Sequence, residues 1–379
     1  MIIIFKVLLI LLILSLLIDL YLKLTPKSKL KIKPINCEIK ENNIKCEFKI
    51  FNSSFNKETM IPNLNIRLDF FENNKLVYRN YEKEIIISDG NLKRNINNYW
   101  PTTIIKSNSS IHIYIHIKLK EYLENKDLIW LNVNWQNYGH FGIIKRQNCF
   151  LINNYKELKK DRNVIKITLN DKYEAIAIKT KTLGVFDNPI ETTLEYCKDL
   201  VQSNDILVIG ETPLAIMQGR YINHQEIRYS FYSKMLCYFF HPTSSLATAC
   251  GMQLLINKIG ITRIIFSLLI GLIFKLIGIK GVFYMLTGNE SSLIDDISGT
   301  TPPYDKSIVL GPSNPKKYCD EVSNILKIDI AVADVNDLGG VKVLASSSKS
   351  IINLLKQNLK SNPAGNDDQK TPILLIRKK

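Results

Sequence analysis

Two acidic segments in the C-terminal half of the chain contain the side chains best suited to hold a divalent cation. In residues 333–340, Asp334 directly follows an apolar run, and residues 293–299 contain Asp295. Mg²⁺ and Mn²⁺ prefer one or two carboxylates together with phosphate oxygens, so Asp334 with one further acidic residue would be sufficient. Asp-rich segments that contain Gly are also typical of ordinary turns. Each segment is therefore a candidate cation site with a structural alternative.

Other common catalytic signatures are absent from the sequence. It contains no Walker A phosphate loop, no G-x-G-x-x-G motif, no G-x-S-x-G motif and no set of zinc ligands. His112 and His116 have the spacing of a helical metal pair, but they lie in a predicted strand, where four residues span about 13 Å. The two rings are then too far apart to share one ion. Both histidines are predicted to lie on a solvated face.

The region after about Asp161 must position the acidic residues, and it alternates short apolar strands with helical stretches. This alternation is typical of an α/β or α+β domain. Asp334 follows the predicted strand 328–333, and open sheets place their ligands at such strand ends. Residues 365–368 are polar and are interpreted as a flexible linker or a binding loop. Further strands are predicted at residues 173–179, 206–209 and 373–376, and helices at Asn188-Pro189 and Asn314-Pro315.

The preceding region, from about residue 35 to residue 150, has the period-two alternation of strands that are buried on one face. Four segments show it, at residues 46–50, 64–70, 111–119 and 131–135. We expect an antiparallel β-sandwich of immunoglobulin-like outline.

The N-terminal 22 residues are almost wholly aliphatic, which is close to the roughly 20 residues that a helix needs to cross a bilayer. A cleaved signal peptide is the alternative, but no small-x-small cleavage site follows. Five lysines come directly after the segment, so the positive-inside rule predicts a single-pass membrane protein with its C-terminal bulk in the cytoplasm. A second apolar stretch, residues 259–286, is broken by cations and glycines, and it is interpreted as a buried helix followed by a strand.

Composition limits the possible partners and the compartment. The 379 residues carry 50 Lys+Arg against 35 Asp+Glu, a formal charge of +15 that could indicate anionic partners. The cations are diffuse and are not interleaved with aromatics, so nucleic acid is not expected as a partner. The seven cysteines are scattered without a C-x-x-C pair, which favours a reducing compartment with buried thiols.

Several segments resemble, in order, the gamma-glutamyl ligases that extend the deazaflavin coenzyme F-420. The first is residues 204–209 with Gln218-Gly219-Arg220, followed by 293–295, 308–312 and Asn314-Pro315. The Asp334 segment and residues 365–377 are similar to the later metal loop and the C-terminal strand of that family. The resemblance covers roughly residues 170–379. An N-terminal anchor and β-domain joined to such a region looks like a membrane-associated variant of photosynthetic bacteria.

The resemblance implies a GTP-dependent amide ligation, in which Mg²⁺ or Mn²⁺ helps to activate a carboxylate that the amino group of glutamate then attacks. Carried over by position, Asp295 and Asp334 would be metal ligands. Arg220 would contact phosphate or only brace the fold. The residues that would line the nucleotide are Leu183, Gly184, Glu211, Thr212, Ser298 and Gly365. Two positions depart from the family, because Thr212 and Ile216 stand where lysines are common.

Taken together, the sequence predicts an α+β protein with an N-terminal transmembrane helix (1–23), an antiparallel β-sandwich (24–155) and a mixed α/β ligase-like domain (161–379). The expected function is a membrane-tethered ligase that adds glutamate to a small anionic acceptor, with a deazaflavin coenzyme as the named candidate. The alternative is a non-catalytic binding or scaffold protein with a degenerate ligase domain. The expected partners are the lipid bilayer, glutamate, the anionic substrate and a second copy in a homodimer.

Overall fold

The computed structural model describes residues 6–7, 9–16, 28–72, 75–89, 93–96, 99–121, 128–153, 164–242, 244–279, 281–288, 291, 293–294, 297, 302–335, 339–365 and 370–379. The chain divides into two compact units. Unit 1 comprises Met1–Asp69, Tyr78–Leu123 and Leu131–Cys149, and unit 2 comprises Phe70–Val77, Glu124–Trp130 and Phe150–Lys379.

The N-terminal strands form two antiparallel sheets with the orders β1-β2-β9-β6-β7 and β5-β4-β10-β3-β8, and β11 pairs with β10. Their bounds are β1 Leu30–Lys40, β2 Asn43–Asn52, β3 Thr59–Ile61, β4 Leu64–Glu72, β5 Lys75–Val77, β6 Tyr81–Ser88, β7 Lys93–Ile96, β8 Thr103–Ile105, β9 Ser110–Leu119, β10 Leu128–Gly139 and β11 Gly142–Asn153. The predicted antiparallel architecture of this region is confirmed.

The alternating burial along β9 shows why these residues form strands with one buried face. Every second residue from Ile111 to Leu119 is buried, whereas His112 and His116 are partly exposed. His112 Nδ1 lies 2.7 Å from Glu47 Oε1, and His116 Nδ1 lies 3.6 Å from Glu84 Oε2. Each imidazole contacts a different carboxylate on a neighbouring strand, and both lie on the partly exposed face of β9, as predicted.

All seven cysteines are free thiols, and five of them are buried, as the sequence predicts. Cys37 and Cys46 lie directly opposite each other in the antiparallel register of β1 and β2. The hydrogen bond with Cys37 and the burial of Cys46 both raise the pKa of the Cys46 thiol, so it remains protonated and unreactive at neutral pH.

Unit 2 contains a mixed sheet with the order β12-β13-β19-β14-β17-β18, and a two-stranded ribbon of β15 and β16. Strands β14 and β17 are parallel, whereas β19 runs antiparallel to both β13 and β14. The bounds are β12 Val164–Thr168, β13 Tyr173–Ile178, β14 Ile206–Gly210, β15 Tyr221–Asn223, β16 Ser307–Val309, β17 Asp329–Val335, β18 Val341–Ser346 and β19 Ile373–Lys378. The predicted strands at 173–179, 206–209, 328–333 and 373–376 are confirmed.

Both faces of this sheet are covered by apolar side chains. Along β14, Leu207 and Ile209 belong to one buried cluster, and Ile206 and Val208 belong to another. Near-continuous apolar runs are expected where a strand is buried on both faces. The helices are α1 (residues 6–7 and 9–16), α2 Pro189–Cys197, α3 Glu211–Met217, α4 Phe231–Leu236, α5 Ala249–Ile259, α6 Ile261–Leu276, α7 Val282–Thr287, α8 Pro315–Leu326 and α9 Ile351–Asn358.

The prediction for residues 259–286 is wrong. The described part of this stretch contains the end of α5, then α6 and α7, and no strand. Gly260 and Gly281 have positive φ angles of 84° and 85°, and they separate consecutive helices. Most side chains of α6 are exposed rather than buried, since only Ile264 and Ser267 of that helix are buried.

No single helix in the described residues has both the length and the apolar composition of a membrane span. The consecutive helices α5 and α6 meet that criterion only as a pair, across a bend of 111°. Much of the predicted anchor, residues 1–23, lies outside the described residues, so the anchor remains a prediction.

Candidate functional site

A pocket of about 220 Å³ opens where β14 and β17 end in unit 2. Most of its lining comes from five chain segments that are far apart in sequence, and Tyr304 adds a sixth. They contribute Thr180–Leu183, Gly210–Pro213, Ala333–Val335, residues 362 and 364–365, and Lys370–Pro372. The carboxyl ends of parallel strands are where open sheets bind ligands, so the pocket has the expected location for a binding site.

The register of the parallel strands brings two carboxylates to this pocket. Gly210 of β14 is paired with Ala333 of β17. The residues that follow them, Glu211 and Asp334, therefore come to the same edge of the sheet. Both line the pocket. Glu211 is buried and begins α3, so the turn from strand to helix fixes its position.

Two lysines line the same pocket. Lys181 Nζ lies 2.7 Å from Asp187 Oδ1, and the backbone N–H of Gly184 donates to Asp187 Oδ2 at 2.8 Å. Asp187 therefore connects Lys181 to the turn at residues 183–187. Lys370 lies shortly before β19, and its φ angle is 53°. The pocket thus combines two carboxylates with two ammonium groups.

Tyr304 closes part of the lining through a hydrogen bond. Its hydroxyl donates to the carbonyl oxygen of Leu183 at 2.9 Å. Burial raises the pKa of Tyr304 well above its ordinary value, and the nearby Tyr221 and Asp187 raise it further. The phenol therefore stays protonated and keeps the Leu183 carbonyl in place at any physiological pH.

Backbone hydrogen bonds hold two loop segments of the pocket lining, residues 362–365 and 370–372. The N–H of Gly365 donates to Asn362 at 2.9 Å, and Gly365 has a φ angle of 67°, a conformation that favours glycine. The N–H of Thr180 donates to Lys370 at 2.8 Å, and the N–H of Gly210 donates to Pro372 at 3.0 Å. The loops are therefore attached to the strands whose ends form the pocket.

The structure places most of the residues predicted from the sequence in one site. Leu183, Glu211, Thr212, Gly365 and Asp334 all line this pocket. Gly184 follows Leu183 and lies next to the lining. Asp295 and Ser298 are outside the described residues, so their convergence with Asp334 stays a prediction.

Two functional candidates were missed by the sequence predictions, namely Lys181 and Lys370. The one signal available was their position close to the ends of two predicted strands, residues 173–179 and 373–376. That signal does not say that the two strands are neighbours, which is what brings both lysines to the pocket.

Arg220 braces the fold. Its Nε donates to the carbonyl oxygen of Gly311, and its own carbonyl oxygen accepts from Leu310 at 2.8 Å. It is not among the residues that line the pocket. The bracing alternative for this residue is therefore the one that the geometry favours.

Two carboxylates of the pocket lining are candidate ligands for a hard divalent cation. The described residues contain no group of three or more His, Cys, Asp or Glu side chains that could hold a metal by themselves. Glu211 and Asp334 supply two carboxylates, and Mg²⁺ typically takes its remaining ligands from phosphate and water. The residues present are compatible with such a cation only when a ligand contributes oxygens.

Comparison with known proteins links the N-terminal region to one family. Residues 29–156, about one third of the chain, match the family model for the N-terminal Ig-like domain of F420-0:gamma-glutamyl ligase. This match supports the resemblance that the sequence indicated. No curated protein matches the chain at a significant level.

Solved structures share only a distant likeness. The GAE domain of GGA2p from Saccharomyces cerevisiae is 12% identical, covers 34% of this chain and 92% of its own, and gives a TM-score of 0.20. A PapD-like domain of human CEP192 is 8% identical, covers 34% of this chain and 84% of its own, and also gives a TM-score of 0.20. Likenesses of this size carry no argument about function.

Proposed function

We propose that this protein is a ligase of the coenzyme F-420 gamma-glutamyl type, which uses GTP and Mg²⁺ or Mn²⁺ to join glutamate to a small anionic acceptor such as a deazaflavin coenzyme. The observation that carries the proposal is the common location of five predicted residues. Leu183, Glu211, Thr212, Gly365 and Asp334 were assigned to nucleotide or metal, and all five line one pocket. The family match at residues 29–156 supports the same class of protein.

The charges of the pocket suit a triphosphate. Lys181 and Lys370 can neutralise phosphate oxygens, while Glu211 and Asp334 can hold the cation that bridges them. The family commonly has lysines at two positions where this pocket has Thr212 and Ile216. Lys181 and Lys370 supply positive charge from other segments of the same lining, so the pocket keeps two cations despite both replacements.

The proposed reaction has two steps. The acceptor carboxylate attacks the terminal phosphorus of GTP, which forms an acyl phosphate and releases GDP. The amino group of glutamate then attacks the acyl carbon, an amide bond forms, and phosphate leaves with the bonding electrons. A bound divalent cation would supply charge neutralisation on the phosphates. The contribution of the chain is to hold the donor and the acceptor together in a fixed orientation.

Replacement of Asp334 and of Lys370 tests the proposal on the full chain. We expect Mn²⁺ with GTP at about 100 times its Kd to stabilise the wild type by about 2.7 kcal/mol. Asp334→Asn should abolish the Mn²⁺-dependent part of the shift, and Lys370→Gln should weaken GTP binding about tenfold or more, since it removes a charge-assisted hydrogen bond. Differential scanning fluorimetry with isothermal titration measures both effects.

Matched controls come from α8. Asp320 and Lys317 are partly or largely exposed and form helical i,i+4 pairs, and neither lines the pocket. Asp320→Asn and Lys317→Gln should leave both the thermal shift and GTP affinity unchanged. The proposal fails if wild type shows no shift, or if Asp334→Asn behaves like Asp320→Asn.

The second candidate is a non-catalytic binding or scaffold protein, and the observation that favours it is Thr212 and Ile216 in the pocket lining. The two candidates differ in turnover. A ligase releases GDP and gives an acceptor heavier by one glutamate residue in mass spectrometry. Ligand-induced stabilisation without GDP release, in the presence of acceptor and glutamate, would favour the scaffold.

We also propose that residues 1–23 tether the protein as a single-pass anchor, with the C-terminal bulk in the cytoplasm. The apolar run and the five lysines that follow it support this arrangement. After expression in cells, the protein should stay in the membrane pellet through alkaline carbonate washing. A chain that is released by the wash, or that has lost its N-terminal residues in mass spectrometry, would contradict the tether.

A further inference from the structure

Helix α6 presents an apolar surface to the solvent. Phe266, Leu269, Ile273 and Leu276 follow the three- and four-residue spacing that places side chains on one side of a helix. All four are exposed, and Leu276 is 89% exposed. Met285 of α7 is 80% exposed. These five side chains are called the α6 apolar face, and exposed apolar surface of this kind marks a docking site.

The opposite side of α6 is fixed to the rest of unit 2. Ile264 is buried in a core cluster that also contains Met252 and Leu255 of α5. Arg263 Nη2 donates to the carbonyl oxygen of Leu286 at 2.7 Å, which connects α6 to the end of α7. The α6 apolar face is therefore held outward by a buried core.

The same arrangement disfavours a membrane span formed by the bent pair of α5 and α6. Helix α5 is part of the core, and its Met252 and Leu255 are fully buried, so their side chains are not available to lipid. Helix α6 has 16 residues, fewer than the roughly 20 that a span requires. It also carries Arg263 and Lys275 towards its two ends. A helix with these properties suits the plane of a membrane interface.

The charge of the surrounding sequence identifies the occupant. Residues 227–289 contain no aspartate or glutamate. The Lys and Arg residues of this stretch are Arg228, Lys234, Lys258, Arg263, Lys275 and Lys280. Such a stretch attracts anionic lipid headgroups. A second copy is disfavoured, because a two-fold contact of this region with itself would bring like charges together.

Exposed aromatic side chains in the same stretch agree with a membrane interface. Phe231, Tyr238 and Phe239 are all exposed, and Tyr238 is 88% exposed. Tyrosine is enriched at the depth of the headgroups because its ring is apolar and its hydroxyl is polar, and the two phenylalanines add exposed apolar surface.

We propose that α6 and α7 dock on an anionic lipid bilayer, with the α6 apolar face among the acyl chains and the neighbouring cations at the headgroups. This contact is additional to the N-terminal segment and does not depend on the pocket or on catalysis. It makes unit 2 itself a membrane-binding unit.

Tryptophan quenching in vesicles tests the docking with the full chain. Phe266→Trp places a fluorescent reporter on the α6 apolar face, and Phe55→Trp places a matched reporter at an exposed position of unit 1. The native Trp100, Trp130 and Trp135 are buried and contribute the same background to both variants. In vesicles of phosphatidylglycerol and phosphatidylcholine with brominated acyl chains, the α6 reporter should be quenched and blue-shifted, and the unit 1 reporter should not.

Further variants test the contributions of the apolar side chains and of a neighbouring cation. In the Phe266→Trp background, Leu269→Asp with Ile273→Asp should abolish the quenching while the melting temperature stays unchanged, because both side chains are exposed. Lys275→Gln in the same background should weaken vesicle binding about fivefold.

Three outcomes would overturn the docking proposal. The first is equal quenching of the two reporters, and the second is an α6 reporter that brominated vesicles do not quench. The third is an α6 reporter that is shielded without lipid in a particle of twice the chain mass, which would assign the α6 apolar face to a second copy.

Discussion

The charged residues of the pocket differ in how much the fold depends on them. Lys181 is mostly buried and paired with Asp187, which also receives the Gly184 N–H, so this lysine stabilises the turn as well as any ligand. Lys370 lines the pocket from a loop end. A substitution of Lys181 therefore changes stability and binding together.

Two buried groups on α8 make the stability of unit 2 depend on alkaline pH. Burial raises the pKa of the Cys319 thiol from 9.0 to about 12, and it also raises the pKa of Tyr318. In the unfolded chain the thiol loses its proton at lower pH than in the folded chain. For the thiol, unfolding therefore releases a proton between about pH 9 and 12, and the free energy of unfolding falls there by up to about 1.4 kcal/mol per pH unit.

Urea unfolding between pH 7.5 and 10.5 measures this slope, and Cys319→Ala should make it shallower. Ser323→Ala is the matched control. Ser323 lies on the same helix as Cys319 and its hydroxyl donates to the carbonyl oxygen of Ile328, so the substitution removes a hydrogen bond without removing a titrating group. Ser323→Ala should lower stability equally at every pH. Equal slopes for wild type and Cys319→Ala would contradict the assignment.

The residues of the site were predictable to different degrees. Asp334 could be located near the end of a buried strand because a carboxylate after an apolar run indicates such an end, and it is the second-to-last residue of β17. Lys181 and Lys370 could not be assigned in the same way, because nothing local distinguishes them from the other lysines of a chain with 50 Lys+Arg. Their proximity depends on the pairing of β13 with β19, a contact between segments about 200 residues apart.

At the scale of elements, local signals were sufficient wherever periodicity and caps agreed. The alternating runs of the N-terminal strands and the helix start at Asn188-Pro189 are confirmed. The prediction for residues 259–286 was wrong because an apolar run does not show which other element, if any, it packs against. The sequence could not show that α5 takes the core and leaves the α6 apolar face exposed.

The N-cap of α2 gives a prediction at this scale. Asn188 Oδ1 accepts from the backbone N–H of Ile190 at 3.0 Å and of Glu191 at 3.4 Å. Asn188→Ala removes the acceptor and should cost about 1 kcal/mol of unfolding free energy, while Asn188→Asp keeps it and should cost much less. Chemical denaturation of both variants measures the difference. Equal losses would show that the cap does not stabilise α2.

At the scale of the whole molecule, the chain combines two units with different features. Unit 1 contains most of the region that matches the Ig-like family model. Unit 2 contains the pocket, the mixed sheet and the α6 apolar face. The three core clusters around Leu207, Leu255 and Val208 consist wholly of unit 2 residues. Each unit with its own buried core is expected to fold as a separate cooperative body.

Calorimetry of the full chain tests this division and the location of the ligand site together. Phe48 in unit 1 and Leu207 in unit 2 are fully buried, so Phe48→Ala and Leu207→Ala should each cost about 2–5 kcal/mol, because each leaves a cavity. We expect two transitions, each lowered by one variant. GTP with Mn²⁺ should raise only the transition that Leu207→Ala lowers, since the pocket residues belong to unit 2. A single transition that both variants lower equally would contradict separate units, and a ligand shift confined to the Phe48→Ala transition would place the site elsewhere.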